Sequence, residues 1–345
     1  MKEDKKMKRK GLVVLLGNVC LILVLMALPV HAQQSSKSST KPIKLNWISF
    51  VPKTNVLVKN FQTLFVDKVN QGAKGQLIIN YRGGPEVMGA FDQGKAVQQG
   101  IVDIAIPPVG FYEALAPGIG GAMLIQVSLE EERKPGGAYD YLAELHKKGG
   151  LFYLGRGTYT EEDYFYLFLN KRVEKPEDFA GLKIGSATVT RAAVKAWGAT
   201  LVSLRMPEYY SSMERGLVDG LASAPLSAWY FQGVHEVTKY MIDHPYYQST
   251  VAVIMNLKKW NSLPEHLQKL MIKTMIQYEK GYPAVYIKDR ARLKKKALEA
   301  GVKSYKFSPD VAKWFLETTY NAAWEYQMKR FPKQTPKLRA LLTGK

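Results

Sequence analysis

Five histidines are the first residues to test for chemistry: His31, His146, His235, His244 and His266. No two of them stand at ligand spacing, so a metal site has no support in the sequence. The single cysteine, Cys20, follows Gly17-Asn18-Val19 inside an apolar run. That context is a poor lipidation signal and reads as hydrophobic filler. No G-x-S-x-G elbow occurs, and no G-x-G-x-x-G opens a helix. The stretch Gly89-Ala90-Phe91-Asp92-Gln93-Gly94-Lys95-Ala96 has the spacing of a phosphate-binding loop through its lysine. It fails one residue later, because Ala96 stands where a Ser or Thr must reach magnesium, and Phe91 adds bulk to the cradle. A helix amino end with a surface lysine is the better reading.

Arg156 is flanked by Gly155 and Gly157 just after an apolar run at 151–154. A flexible backbone can aim such an arginine, and burial would demand an anionic partner. A pocket arginine and a surface-loop arginine are the two readings. Glu130, Glu131 and Glu132 follow Ser128, which with Glu131 forms a capping box, so they read as helix amino-end charges rather than catalytic carboxylates. Phe111 and Tyr112 fall in a stretch (107–121) rich in proline, glycine and aromatics, and either face a cleft or cover a core.

The elements that must position these residues follow from periodicity. Residues 43–50 read as a strand, 55–70 as a helix, 75–81 as a strand, 89–99 as a helix and 102–106 as a strand. This β-α-β-α-β order predicts a largely parallel sheet with ligand-facing loops at its carboxyl edge. Residues 164–170 (YFYLFLN) read as a strand with Tyr164, Tyr166 and Phe168 on one face and Phe165 and Leu167 on the other. The segment 175–229 then reads as strand, helix, short strand and second helix punctuated by glycine. Its two adjacent strand-to-helix exits, the first through Gly185 into 186–190, place backbone N–H groups and short polar side chains where small molecules bind in open α/β sheets. A helical pattern from about 263 to 300 contains Pro283, which predicts a kink or break near Gly281. A last helix from 308 to about 330 precedes a basic tail.

The amino terminus carries six basic and two acidic residues, an uncharged run over 11–30 and Val30-His31-Ala32. This is the pattern of a secretory signal cleaved after Ala32, with an uncleaved anchor as the alternative. Residues 33–41 are polar and serine-rich and read as a disordered leader. Removing the signal takes four from the formal charge of +19 and leaves 313 residues at +15. That length suits about two domains. A mature chain without cysteine excludes disulfides and thiolate catalysis. The positive field favours anionic ligands or an anionic surface. Nucleic acid is a poor fit for an exported protein, and the run Lys294-Lys295-Lys296 reads as a solvated helix face.

Three stretches together resemble a known family. They are G-L-K-I followed by a helix ending G-A, P-E-Y-Y and E-R-G-L-V-D-G (181–220); GQLIINYRGGPEVMGAFDQGKAVQQGIVDIA (75–105); and MNLKKWNSLPEHLQKL (255–270). In this order they resemble the DctP-like solute-binding proteins of tripartite ATP-independent periplasmic (TRAP) transporters. The resemblance implies an α/β, type II-like two-lobed periplasmic-binding-protein fold with a long lobe-spanning helix at about 263–300. Lobe I would hold 42–160 plus 248–285, and lobe II 161–247 plus 286–345. It implies a receptor, not an enzyme, that captures a small organic solute between closing lobes. The partners would be the small and large integral membrane permease subunits of the transporter, with no cofactor and no nucleic acid.

In the family an arginine follows the G-L-K-I strand and pairs with the ligand's carboxylate. Here that position is Gly185, and Leu221-Ala222-Ser223-Ala224 replaces the polar contacts after V-D-G. Arg156, Arg191 or Arg205 could substitute for the missing arginine, with Ser223 and the 186–190 backbone as neutral donors. An aromatic or less acidic solute is the alternative, favoured by Phe50, Phe111, Tyr166, Met206 and Trp229, each of which is otherwise core. An orphan receptor serving a sensor or lipid shuttle, and an exported enzyme, are the competing functions.

Overall fold

The computed structural model describes residues 41–158, 164–187, 190–248 and 250–344. The expected signal, its cleavage point and the leader up to residue 40 lie outside the described residues. Among the described residues eleven strands run in chain order: β1 (Ile43–Ser49), β2 (Leu77–Gly83), β3 (Ile104–Ile106), β4 (Leu151–Arg156), β5 (Tyr164–Leu169), β6 (Lys183–Ser186), β7 (Thr200–Ser203), β8 (Gly220–Pro225), β9 (Tyr240–Gln248), β10 (Ala252–Asn256) and β11 (Lys303–Tyr305). They form two sheets, ordered β2-β1-β3-β10-β4 and β11-β9-β5-β8-β6-β7. In the first, β1 runs parallel to β2 and β3, and β10 is antiparallel to both β3 and β4. In the second, β6 is parallel to β7 and β8, while β5 is antiparallel to β8 and β9.

Short polar side chains lock the first sheet to its helices. The Asn70 amide accepts from Ile79 N at 2.7 Å and donates back to Ile79 O, fastening the helical segment at 67–72 to β2. The Asp103 carboxylate accepts Asn46 N at 2.7 Å, and Asn256 donates to Val97 O while capping the helix Leu257–Asn261. The helix expected at 89–99 begins only at Gln93, whose amide is buried and donates to Ser49 O. Gly94 in the phosphate-loop lookalike has a packing reason: a Cβ there would lie 2.4 Å from Tyr112 Cβ. Residues 93–99 are helix, so this stretch holds no cradle.

The sheets are joined by crossings that lie side by side. Ala252 pairs with Arg156 where β10 and β4 leave the first sheet, and Tyr164 pairs with Gln248 where β5 and β9 enter the second. A third connection is the helix Glu265–Glu299, which contains Pro283. Leu267, Met271, Met275, Tyr278 and Tyr282 bury in the first-sheet core with Phe61 and Trp47, whereas Leu293 and Ala297 bury in the second. Of the kink or break expected near Gly281, no break occurs. Proline forfeits one bond, to the carbonyl of Glu279, and clashes locally, but burial on both sides of it outweighs that cost. The expected basic tail is likewise a helix, Thr335–Thr343, because Leu338 and Leu342 share one face and bury it. It lies against residues 119–124 and the helix Ala138–Lys148, with Gln126 N donating to Leu342 O at 2.7 Å.

His146 is fully buried beneath the first sheet. Its Nδ1 lies 2.7 Å from Leu142 O and its Nε2 2.8 Å from the Tyr112 hydroxyl, so Nδ1–H donates and Nε2 accepts. Burial pulls its pKa down to about 4. Between that value and the unfolded value near 6.5 the unfolded chain binds more protons, so stability falls as pH falls through this window. The advantage of the wild type over His146→Gln in urea unfolding should therefore shrink by about 3 kcal/mol from pH 7 to pH 4. A constant advantage would show that His146 is not held neutral.

Candidate functional site

Arg156 ends β4 and is completely buried. Its Nε donates to both carboxylate oxygens of Glu132, at 3.0 and 2.8 Å, and its Nη1 reaches the Thr250 hydroxyl at 3.4 Å. Glu132 is therefore not a solvated helix-end charge: the helix Leu129–Glu132 is one turn long, capped by Ser128 as expected, and its last residue turns inward. Next to it Glu279, from the lobe-spanning helix, accepts Arg156 N at 2.8 Å and pairs with Arg133 at 2.6 Å. Burial works against the Arg133 charge, but the Glu279 carboxylate overcomes it and holds the guanidinium protonated. Tyr278 adds a hydroxyl bond to Gly157 O. The exit of β4 is thus tied to the helix Leu129–Glu132 by the Arg156–Glu132 pair and to the long helix through Glu279, which also pairs with Arg133. Buried ions persist when paired and fully hydrogen-bonded.

The second sheet presents a different surface. Gly185, in the middle of β6, has no room for a side chain: a Cβ would sit 2.6 Å from Leu204 Cδ1 and 2.7 Å from Leu221 Cδ2. At the end of β6, Ser186 Oγ lies 2.7 Å from Thr190 Oγ1 and 3.2 Å from Ser223 Oγ. Thr190 and Ser223 also bond each other, and Ser223 Oγ accepts Ala187 N at 2.8 Å. All three hydroxyls are buried, as is Tyr209, whose phenol beside Ser223 is pushed up to about 12 by burial.

The aromatic candidates separate. Tyr166, Trp229 and the partly buried Met206 share one core cluster with Phe168. Trp229 is wholly buried, stacks on Phe168 at 4.4 Å and donates Nε1–H to the Thr238 hydroxyl. Its tight packing answers the choice in favour of core. Tyr166 pairs with Ala224, one residue from Ser223, and is 4% exposed. Both faces of β5 are core-facing, since Phe165 and Leu167 bury in the opposite cluster. Phe50 lies half-buried against the first core, and Phe111, also half-buried, stacks on the exposed Phe91 at 4.0 Å. Arg191 opens the helix Arg191–Ala196 and is exposed, as is Arg205. Ser223 and Tyr166 are brought to one edge, while Arg156 is engaged by Glu132 and the exposed Arg191 follows Thr190 at the start of its helix.

A small cavity was missed by sequence reasoning. It is lined by Gly110, Glu113 and Gly120 of the first-sheet crossover, by Ala192 and Tyr247, and by Gln327 and Arg330 of the helix Pro309–Arg330. Glu113 accepts Gly120 N at 3.0 Å and Arg330 Nη1 at 3.0 Å; burial pushes its carboxyl up while Arg330 pulls it down, and burial prevails. These residues are 217 positions apart, and no local pattern announces such a pairing. Among the described residues no group of His, Cys, Asp or Glu could hold a metal, and no helix is long and apolar enough to cross a membrane.

Glu132→Gln should leave Arg156 buried without its counter-charge and cost about 3–5 kcal/mol in urea unfolding, with Glu132→Leu/Arg156→Met recovering most of it. A single variant within 1 kcal/mol of wild type would refute the clamp. Trp229→Ala should lose about 3–5 kcal/mol, as a core cavity does; near-neutrality would place the indole outside the core.

Comparison with known proteins adds a lineage to this geometry. A C4-dicarboxylate-binding periplasmic protein DctP of Rhodobacter capsulatus is 30% identical over 140 residues, which span 39% of this chain and only 40% of that protein. A TRAP periplasmic solute-binding protein from Desulfovibrio salexigens, solved with bound orotic acid, superposes with a TM-score of 0.77 at 18% identity, covering 87% of this chain and 97% of that one. An extracytoplasmic solute receptor of Bordetella pertussis binding pyroglutamic acid gives 0.73 at 17% identity, covering 87% and 99%. These structures share the two-lobed periplasmic-binding-protein fold. The sequence matches the DctP description, bacterial extracellular solute-binding protein, family 7, over residues 49–330. The chain belongs to that family.

Proposed function

We propose that this chain is the extracytoplasmic receptor of a TRAP-type transporter, capturing a small organic acid between two lobes and delivering it to membrane permease subunits. The observation that carries the reading is the double-sheet frame, whose two bodies are joined by two neighbouring strand connections and a long helix, with the last helix returning to the first body. Two bodies joined this way can close on a ligand by small changes at the crossings. Lobe I comprises 42–160 plus 248–285, and lobe II 161–247 plus 286–345; sheet membership supports this division, with 335–343 laid back against lobe I. Residues 1–32 act as the export signal, and the mature charge of +15 draws anionic solutes toward the protein. The receptor binds without turnover. Within the pocket, Ser223 and Tyr166 contact solute from lobe II, Phe50 and Phe111 approach from lobe I, and Arg156 acts through the crossing it holds.

Thermal unfolding of the mature protein, denatured and refolded to strip carried-over ligand, tests this against a library of organic acids, aromatic acids and neutral solutes. A solute at about a hundred times its Kd should add roughly 2.7 kcal/mol. No stabilisation by any compound, or turnover of a chromogenic substrate abolished by Ser223→Ala, would overturn the receptor reading.

A further inference from the structure

Among the described residues, two that are not glycine hold a positive φ: Lys74 at 48° and Tyr247 at 29°. Lys74 stands in the turn between the helical segment at 67–72 and β2, where such a conformation is ordinary. Tyr247 lies inside β9 and is bulky, and in the left-handed region its Cβ crowds the following carbonyl oxygen. Strand pairing gives the reason for it. Tyr164 pairs with Gln248 and Phe165 with Tyr246, so Tyr247 is the extra residue of a β-bulge. Strain of this kind persists only where the surroundings enforce it, and it gathers where a structure switches.

The enforcing contacts can be named. The Tyr247 ring is buried edge-on against Tyr246 and Tyr320, and its hydroxyl donates to Thr319 O at 2.9 Å in the helix Pro309–Arg330. Tyr247 also stands where motion between the sheets has to concentrate. Gln248 still pairs in the second sheet and Ala252 already pairs in the first, so residues 249–251 alone carry this crossing. The cavity lined by Glu113, Gln327 and Arg330 is lined by Tyr247 as well, and its volume of about 30 Å³ is enough for about one water. A close-packed core resists any shift of a buried ring, and a void beside the ring removes part of that resistance.

We propose that Tyr247 is the pivot of closure: its left-handed backbone belongs to the lobe arrangement of this structure, where the Tyr247–Thr319 bond holds it, and relaxes to an extended conformation in the other arrangement. This rests on the receptor reading above and concerns what sets the balance between the two arrangements. Tyr247 acts on affinity without touching solute, because a receptor whose competent arrangement is only partly populated binds more weakly by that fraction.

The sole cysteine, Cys20, lies in the export signal, so the mature chain takes spin labels only where cysteines are introduced. Labels on Ile101→Cys in lobe I and Leu217→Cys in lobe II, both exposed positions, report the distance between lobes by double electron–electron resonance without any solute. Tyr247→Ala and Tyr247→Gly both remove the ring, but only glycine adopts the left-handed backbone freely. The ratio of this structure's arrangement to the other should be about fivefold or more higher in the glycine variant than in the alanine variant. Tyr247→Phe keeps the ring should either truncation fail to fold; it loses the bond to Thr319 and should move the ratio about threefold or more towards the other arrangement. Equal ratios in the alanine and glycine variants, a phenylalanine variant that matches wild type, or one unchanging distance throughout overturns the inference and leaves the receptor reading standing. Failure of every solute to stabilise the chain instead removes the receptor reading, whatever the distances show.

Discussion

The Arg156 guanidinium is wholly buried, so its charge has to be balanced within the protein, and Glu132 does so with both oxygens. That requirement shapes everything near it. Glu132 must turn inward after one helical turn, the chain must bring residues 24 apart into contact, and Glu279 must come from the long helix to receive Arg156 N and Arg133. A buried ion pair adds little net stability over a hydrophobic isostere. Its effect is geometric: few backbone paths satisfy all four charges, so the exit of β4 and the axis of the helix Glu265–Glu299 are fixed relative to one another. The crossing strands start from this fixed point.

Beyond the clamp, the two sheets are held by burial more than by bonds. The lobe-spanning helix contributes apolar side chains to one core before Pro283 and to another after it, so neither half can leave its sheet without exposing several of them. The helix Pro309–Arg330 packs on the helix Arg191–Ala196 and on residues 119–124, with Trp197 Nε1 donating to Thr319 and Tyr247 donating to Thr319 O. Closure in such a frame requires small rearrangements at the paired crossings while the cores stay intact.

Against this rigid background the second-sheet edge is chemically plain: a glycine sealed by two leucines, then hydroxyls that satisfy one another. Once water is excluded, a polar group set against such an edge is penalised unless donors meet acceptors.

Much of this was legible from residue order alone. Strand and helix succession, the Ser128 cap and the absence of paired histidines follow from periodicity and spacing, which are local properties of a chain, whereas the two-lobed class followed from the family resemblance. Gly185 marked a position without a side chain, although the leucines that fill the space were not foreseeable. Trp229 and Tyr166 were ambiguous between core and cleft because apolar character is the same in both. The final helix at Thr335–Thr343 was missed, because a run of basic residues carries no account of the burial that orders it. The Arg156–Glu132–Glu279 clamp and the Glu113–Arg330 pair were invisible. Sequence by itself determined which segments are strand or helix and which functions lack residues to support them; tertiary structure decided which charges meet, because ion pairing depends on distances in space that separation along the chain does not encode.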